Sequence, residues 1–331
     1  KDTGSLWVAT LPIRRLISPR AASNTLLQQT GRTAGLQNWA AARSQYLRRP
    51  EMHMKKILIV EDDQLVATAY KKRFTETGYA VEWAPDGLEG IKMVTAVKPD
   101  VVINTAAFHK TELCEQEPER AFKVNAAGAH HVARVSSGLG ARTVYISTDY
   151  VFGGSHSAFS EADCPQPLNV YGASKYAGEL ATRIADPRSY VVRTGWLFGK
   201  NVSHKGYNFV TLMREKAKTE PEVRVVNDQR GSPTYTLDLA AKIHELVAAD
   251  APPGTYHITS GGSATWYELA KAVFEVSGLA PALTPITTAE SGTKIRRPAF
   301  SVLENSKLLE IGLAPLRPWR EALSAYLGEI I

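Results

Sequence analysis

Cysteine is scarce in this sequence of 331 residues, which contains only Cys114 and Cys164. Two thiols are too few for a disulfide framework or for a metal site built from thiolates. His130 and His131 have no His or Glu partner at metal-ligand spacing, so no zinc site is expected either. We therefore expect free thiols and a reducing, cytoplasmic location.

Long apolar runs are also lacking. Apolar residues are 44% of the chain, yet no stretch comes near the roughly 18 consecutive apolar residues that a membrane-spanning helix needs. We therefore expect no membrane association. The length allows either one large α/β unit or two lobes that share a cleft.

A basic surface is missing from most of the chain, although the net charge is +6. Residues 1–53 contain eight basic and two acidic side chains, so the rest of the chain is balanced. Nucleic-acid binding is therefore not expected. The segment 1–53 resembles a transit peptide or upstream sequence translated by accident, and we expect it to be mostly disordered, with the fold beginning near Met54.

From Met54 onward, short apolar runs alternate with stretches of helical periodicity, beginning with a βαβαβ pattern. This pattern predicts an α/β fold with a doubly wound, Rossmann-like, mainly parallel sheet, whose ligand site lies at the carboxyl ends of its strands. Strands are predicted at 57–60, 79–84, 100–104, 143–147, 190–195, 223–227 and 255–260.

Tyr171 and Lys175 stand four residues apart and so share one face of a predicted helix. A tyrosine phenol has an ordinary pKa of about 10, and a nearby cation favours its ionised form. The pair therefore predicts an acid-base site. By itself this spacing is weak evidence, because such pairs occur by chance on many helices.

Two strand ends carry further polar or small residues. Ser147 and Thr148 follow a predicted strand, where either hydroxyl could hold a substrate carbonyl oxygen beside Tyr171 or simply cap a turn. Small side chains follow the preceding strand at 105–107, and Asn125 lies in the middle of the next predicted helix. Small residues there would let a dinucleotide approach the backbone.

From about Pro99 to the C-terminus, the sequence resembles the extended short-chain dehydrogenase/reductases, and among them the dTDP-4-dehydrorhamnose reductase family. The resemblance is carried by the segments PDVVINTAAF (99–108), EPERAFKVN (117–125), YISTDYVFGG (145–154), PQPLNVYGASKYAGE (165–179), VVRTGWLFG (191–199) and VVNDQRGSPTYTLDLA (225–240).

This resemblance implies NADPH-dependent (or NADH-dependent) reduction of the 4-keto group of a dTDP-linked 6-deoxysugar. It implies that Thr148 orients the keto oxygen, that Tyr171 protonates it, and that Lys175 lowers the phenol pKa and holds the nicotinamide ribose. Further implied cofactor contacts are Thr105, Ala106, Ala107 and Asn125. Implied substrate contacts are Thr148, Asp149, Trp196, Asn208, Arg230, Gly231 and Thr234.

The resemblance also implies a domain organisation, with a Rossmann-like domain over 54–199. Residues 200–331 would then be mainly a substrate-binding domain, with some segments that return to the sheet. A homodimer is one assembly that the sequence leaves open.

Glycine is absent where a dinucleotide fold needs it. The first strand runs into Glu61-Asp62-Asp63, and no glycine follows before Gly78. Three carboxylates thus stand where a glycine-rich turn would cradle a pyrophosphate. Residues 54–98 instead resemble the start of a response-regulator receiver domain, in which Asp62 and Asp63 would help to hold Mg²⁺.

The receiver's phosphoacceptor position falls at Asn104 or Thr105, so phosphotransfer is not expected. We interpret the chain as a chimera that joins near Pro99. Two hypotheses follow: a reductase that still binds its cofactor, or a cofactor-deficient sugar-nucleotide-binding or regulatory protein without turnover.

Overall fold

A computed structural model describes residues 56–200 and 207–330 of the protein. The predicted disorder of residues 1–53 falls outside this range. Within it, every helix is too short or too polar to cross a membrane.

Strands and helices alternate along the described chain. The strands are β1 (Lys56–Val60), β2 (Ala80–Ala84), β3 (Val101–Asn104), β4 (Arg142–Thr148), β5 (Tyr190–Thr194), β6 (Leu197–Phe198), β7 (Glu222–Val226), β8 (Arg230–Gly231), β9 (Thr234–Tyr235), β10 (Gly254–His257), β11 (Ser260–Gly261), β12 (Ala264–Thr265), β13 (Ala282–Ile286) and β14 (Leu316–Pro318). The helices are α1 (Gln64–Glu76), α2 (Gly87–Val97), α3 (Thr111–Gln116), α4 (Pro118–Phe122), α5 (Ala129–Gly138), α6 (Val170–Ala185), α7 (Phe209–Thr219), α8 (Thr236–Ala248), α9 (Trp266–Ser277), α10 (Ser306–Glu310) and α11 (Trp319–Ile330).

The central sheet has six parallel strands in the order β2-β1-β3-β4-β5-β10. Its inner strands are buried almost throughout, because helices cover both faces of a parallel sheet. This confirms the predicted doubly wound, mainly parallel fold. The register pairs Val60 with Asn104 and Thr148 with Thr194, which brings the carboxyl ends of β1, β3, β4 and β5 to one edge.

Each face of the sheet has its own apolar core. On one face, Phe74 of α1 and Ile243 of α8 pack with strand residues. On the other face, Val94 of α2 and Val132 of α5 do so. The helices on both faces leave the carboxyl edge of the sheet as the place for a site.

A further core gathers residues of α7, α9 and α11 with Val223 and Val225 of β7. The strand predicted at 223–227 therefore exists, but it pairs with β13 outside the central sheet. An apolar run does not specify its partner strand, since that is decided by chain topology. The division into domains at residue 199 stays a prediction.

Candidate active site

A cleft of about 1660 Å³ opens at the carboxyl edge of the central sheet. Residues that follow β1, β3 and β5 line it, as does the last residue of β4, Thr148. This volume exceeds the roughly 300 to 1,000 Å³ of an ordinary small-molecule pocket. The cleft therefore has room for more than one small molecule.

The start of helix α6 places Tyr171 in the cleft. The Asn169 side chain caps the helix by accepting from the Gly172 backbone N–H at 2.8 Å. A Cβ at position 172 would lie 2.1 Å from the Tyr150 carbonyl oxygen, so only glycine allows this approach. The side chains of Tyr171 and Thr148 are hydrogen-bonded to each other.

Burial raises the pKa of the Tyr171 phenol, and the hydrogen bond with Thr148 only partly opposes this. Desolvation thus dominates this pKa in the protein alone, and the lowering by Lys175 stays a prediction. At neutral pH the phenol is protonated, as a proton donor must be, but in the protein alone it is a weaker acid than an ordinary tyrosine.

Lys175 also lines the cleft, one helical turn beyond Tyr171, and its side chain is buried. Its ammonium donates to the Ile146 carbonyl at 2.6 Å and lies 4.1 Å from the centre of the Tyr145 ring. Burial lowers the pKa of Lys175 to about 7, against the carboxylates of Glu179 and Glu61, which raise it. Lys175 can therefore change its charge near neutral pH.

Behind Lys175 lies a buried polar network that the sequence-based reasoning missed. Glu179 accepts from Arg193 at 3.0 and 2.7 Å and from the Ser147 hydroxyl at 2.5 Å. Because the Ser147 hydroxyl donates to Glu179, Thr148 is the hydroxyl that interacts with Tyr171. No motif signals this pairing, because Arg193 comes from a neighbouring strand.

Asp149 is buried, and its carboxylate accepts from the hydroxyls of Thr148 at 3.1 Å and Ser301 at 2.6 Å. Trp196 is a further hydrogen-bond partner. Burial raises the pKa of Asp149 to about 6, against these hydrogen bonds. With these partners, Asp149 is placed to orient Thr148 and Trp196, and its direct contact with substrate stays a prediction.

Of the predicted cofactor contacts, Thr105 and Ala107 line the cleft beside the end of β3. Asn125 is completely buried in a π-helical turn (Lys123–Gly128), not in the middle of a regular α-helix. Its amide donates to the Phe108 carbonyl at 3.0 Å and to the Ser174 hydroxyl at 2.9 Å. In this arrangement Asn125 braces the loop after β3. Ala106 packs against the sheet core.

The predicted substrate contacts divide into two groups, of which the first lines the cleft. Trp196 stacks on Trp266, with ring centres 3.5 Å apart and planes at 4°. Its backbone has φ of 51°, a left-handed conformation that is uncommon outside glycine. Asn208 caps helix α7 and donates to the Gly199 carbonyl at 2.8 Å. Together they form an aromatic and amide wall.

The second group, Arg230, Gly231 and Thr234, is not among the residues that line the cleft. Arg230 forms an ion pair with Glu268 at 2.9 Å. A Cβ on Gly231 would lie 2.2 Å from the Trp196 ring nitrogen, so glycine here lets Trp196 take its position. Thr234 is buried and donates to the Ser232 carbonyl.

At the other end of the cleft lies the turn between β1 and α1. Glu61 and Asp63 are buried, whereas Asp62 is exposed, and all three line the cleft. Burial raises the pKa of Glu61 to about 7, while hydrogen bonds from Thr105 and the Asp63 backbone lower it. Among the described residues, no cluster of three or more His, Cys, Asp or Glu side chains is arranged to hold a metal ion, so the Mg²⁺ expectation gains no support.

A family model described as RmlD substrate binding domain matches residues 55–331. The chain belongs to this family. The match includes the receiver-like stretch. Here this stretch forms strands β1 and β2 of the central sheet and the helices α1 and α2. The match gives the receiver hypothesis no support.

Curated relatives agree with this membership. The spore coat polysaccharide biosynthesis protein SpsK of Bacillus subtilis (strain 168) is 45% identical over 233 residues, which are 70% of this chain and 80% of SpsK. The dTDP-4-dehydrorhamnose reductase of Streptomyces griseus is 40% identical over 246 residues, which are 72% of this chain and 80% of that protein.

Solved structures of the family superimpose on the fold. The dTDP-4-dehydrorhamnose reductase of Bacillus anthracis str. Ames, in complex with NADP, has a TM-score of 0.79 at 33% identity, covering 83% of this chain and 99% of that chain. The orthologue from Clostridium acetobutylicum ATCC 824 has a TM-score of 0.78 at 34% identity, with the same coverage.

Proposed function

We propose that the protein is a nicotinamide-dependent reductase that converts the 4-keto group of a dTDP-linked 6-deoxysugar to a hydroxyl. The observation that carries this proposal is the convergence of Thr148, Tyr171 and Lys175 at one cleft on the carboxyl edge of the sheet. Relatives named dTDP-4-dehydrorhamnose reductase, one of them solved with NADP, support the choice of substrate and cofactor.

The residues beside β4 fit the nicotinamide end of such a cofactor. The buried amine of Lys175 is a donor at the cleft, and Ala107, whose side chain is small, lines the same cleft. We assign Lys175 and Thr105 to the ribose and the adjoining part of the cofactor. When bound, the cofactor would supply the hydride that reduces the carbonyl carbon.

Tyr171 supplies the matching proton. Its phenol is protonated at neutral pH, and its hydrogen bond with Thr148 places the phenol oxygen where a carbonyl oxygen can contact both groups. The Thr148 hydroxyl donates to the Asp149 carboxylate, which in turn accepts from the Ser301 hydroxyl. Proton donation to the developing alkoxide completes the hydroxyl group.

At the far wall, the stacked pair Trp196 and Trp266 offers an aromatic surface to the sugar nucleotide. Arg297 also lines the cleft and is paired with Glu112 at 2.9 Å. A diphosphate would compete for this guanidinium, because Arg binds phosphate oxygens in a planar, bidentate manner. We therefore prefer Arg297 over Arg230 for that role.

The finer assignments stand as parts of the proposal. They are NADPH in preference to NADH, a 6-deoxyhexose linked to dTDP, a cytoplasmic location and a homodimer. The acidic turn after β1 favours a second candidate, a protein that binds the sugar nucleotide without turnover, because this turn opposes dinucleotide binding.

One assay separates the two candidates. The full chain is incubated with NADPH and a dTDP-4-keto-6-deoxyhexose, and the loss of reduced nicotinamide is followed together with product mass. The reductase proposal expects a product that has gained two hydrogen atoms, with one NADPH consumed per product. Binding of the sugar nucleotide by calorimetry, without oxidation of NADPH even at millimolar cofactor, would favour the second candidate.

A further inference from the structure

The turn between β1 and α1 faces the same cleft as the proposed catalytic residues. Glu61 and Asp63 line the cleft with Thr105 and Lys175. The Glu61 carboxyl lies within interaction range of the Thr105 hydroxyl and interacts electrostatically with Lys175. Any ligand that extends from Lys175 along the strand ends towards β1 must therefore pass these carboxylates.

Two backbone donors at the start of α1 already have side-chain partners. The Asp63 N–H donates to Glu61 Oε1 at 2.9 Å, and the Val66 N–H donates to Asp63 Oδ1 at 3.2 Å. Free N–H groups at a helix N-terminus are what make it a site for phosphate oxygens. Here two side-chain carboxylates occupy these donors, as an anion from solution otherwise would.

Side chains also keep a ligand away from the backbone at this turn. Dinucleotide-binding turns use glycine so that the pyrophosphate can approach the main chain closely. In this chain, residues 61 to 63 all carry a carboxylate, and no glycine occurs before Gly78. A pyrophosphate at this place would meet both steric exclusion and charge repulsion.

Resting on the proposed function, we propose that Glu61 and Asp63 act as a built-in carboxylate plug at the start of α1 that weakens dinucleotide binding, while the sugar-nucleotide end of the cleft is unaffected. The plug and the dinucleotide's diphosphate compete for the same N–H donors. The chain's own side chains therefore lower its affinity for the dinucleotide that the proposed function requires.

The test compares NADPH binding by the full chain and its variants, measured by calorimetry and by NADPH fluorescence at constant pH and ionic strength. The double variant Glu61→Gln/Asp63→Asn keeps side chains of the same size that can still accept the two backbone hydrogen bonds, but removes their charge. We expect it to bind NADPH at least about tenfold more tightly than the wild type.

Asp86→Asn provides the matched control. Asp86 is also a carboxylate that caps a helix, by accepting from the Glu89 N–H at 2.8 Å, but it does not line the cleft. Its variant should bind NADPH as the wild type does. A second variant, Asp62→Asn, removes an exposed charge whose side chain interacts with Glu61, but keeps the backbone hydrogen bonds to Glu61 and Asp63, and should tighten binding by about threefold.

If the wild type, Asp62→Asn and the double variant bound NADPH with equal affinity, the proposal that carboxylates weaken dinucleotide binding would be wrong. If the double variant does not fold, as judged by circular dichroism, the single variants Glu61→Gln and Asp63→Asn decide the outcome, and each should bind NADPH more tightly than the wild type. dTDP binding is measured in parallel and should be unchanged in every variant. If the wild type did not bind dTDP, the proposed function would be contradicted instead. A failure of the plug proposal and a failure of the proposed function are therefore distinguishable.

Discussion

The two ends of the cleft lie at the carboxyl ends of strands in one sheet but have opposite chemistry. At the end of β4, Thr148 and Tyr171 present hydrogen-bonding groups beside the buried amine of Lys175. At the end of β1, Glu61 and Asp63 present buried carboxylates. The sheet topology therefore determines where the site lies, whereas the local side chains determine whether it binds a neutral, anionic or cationic part of a ligand.

The largest expected effect concerns the β4 end. Tyr171→Phe removes the proton donor but little packing, so we expect reductase activity to fall by about 10² to 10⁴. Steady-state assays measure the loss, and thermal unfolding shows that the fold is retained. Tyr176→Phe, on the same helix, serves as the control and should keep full activity. A Tyr171→Phe variant with near-normal activity would mean that the chemistry has been placed on the wrong residue.

A pH profile sharpens the comparison at Lys175. Because burial lowers the pKa of this amine to about 7, it is charged below that pH and neutral above it. If the charged form holds the cofactor, kcat/KM should fall as pH rises through 7, by about tenfold per unit on the basic side. The profile is measured from about pH 5.5 to 9 in buffers of constant ionic strength. A flat profile up to pH 9 would exclude this role.

Asp149→Asn tests the group behind Thr148. The pKa of Asp149 is raised to about 6, so in the wild type its carboxyl becomes protonated below pH 6 and changes the hydrogen bonds to Thr148 and Ser301. We expect kcat to fall by about tenfold with little change in KM, and the acid limb near pH 6 to disappear. Ser301→Ala should reproduce the smaller kcat but keep the acid limb. A raised KM with normal kcat would instead support the predicted direct contact between Asp149 and the substrate.

The smallest effect is expected at Arg230, outside the cleft. Its ion pair with Glu268 is partly exposed, so Arg230→Ala should cost at most about 1 kcal/mol in the free energy of unfolding. The KM for the sugar nucleotide should change by less than about threefold. Chemical denaturation and steady-state kinetics measure the two quantities. A tenfold higher KM would show that Arg230 reaches the substrate after all.

Much of the fold could be predicted because its signals are local. Apolar runs such as those of β1, β3 and β4 are buried on both sides, and their alternation with helices specifies a parallel sheet. The partner of β7 could not be predicted, since pairing with β13 joins segments more than fifty residues apart. No local pattern distinguishes a strand of the central sheet from a strand of a separate pair.

The candidate site was predictable to a similar degree. Tyr171 and Lys175 share a helix face through their spacing, and Thr148 follows from the end of its strand. The net rise of the Tyr171 pKa could not be predicted, because it depends on burial. The sequence did not indicate the stacking of Trp266 on Trp196 or the pairing of Glu179 with Arg193. These contacts form only when α9, α6 and β5 pack together.

By itself, the sequence determined the parallel α/β fold, the family, the convergence of polar residues at strand ends and the glycine-free turn after β1. The family follows from the resemblance of whole segments, whereas the other three follow from periodicity, spacing and composition, which act over a few residues. Only the tertiary structure decided that Glu61 and Asp63 are buried at the start of α1, that Asp149 lies behind Thr148, and that Arg230 turns to Glu268. Burial and hydrogen-bond partners depend on segments far apart in the chain, so they are settled by packing.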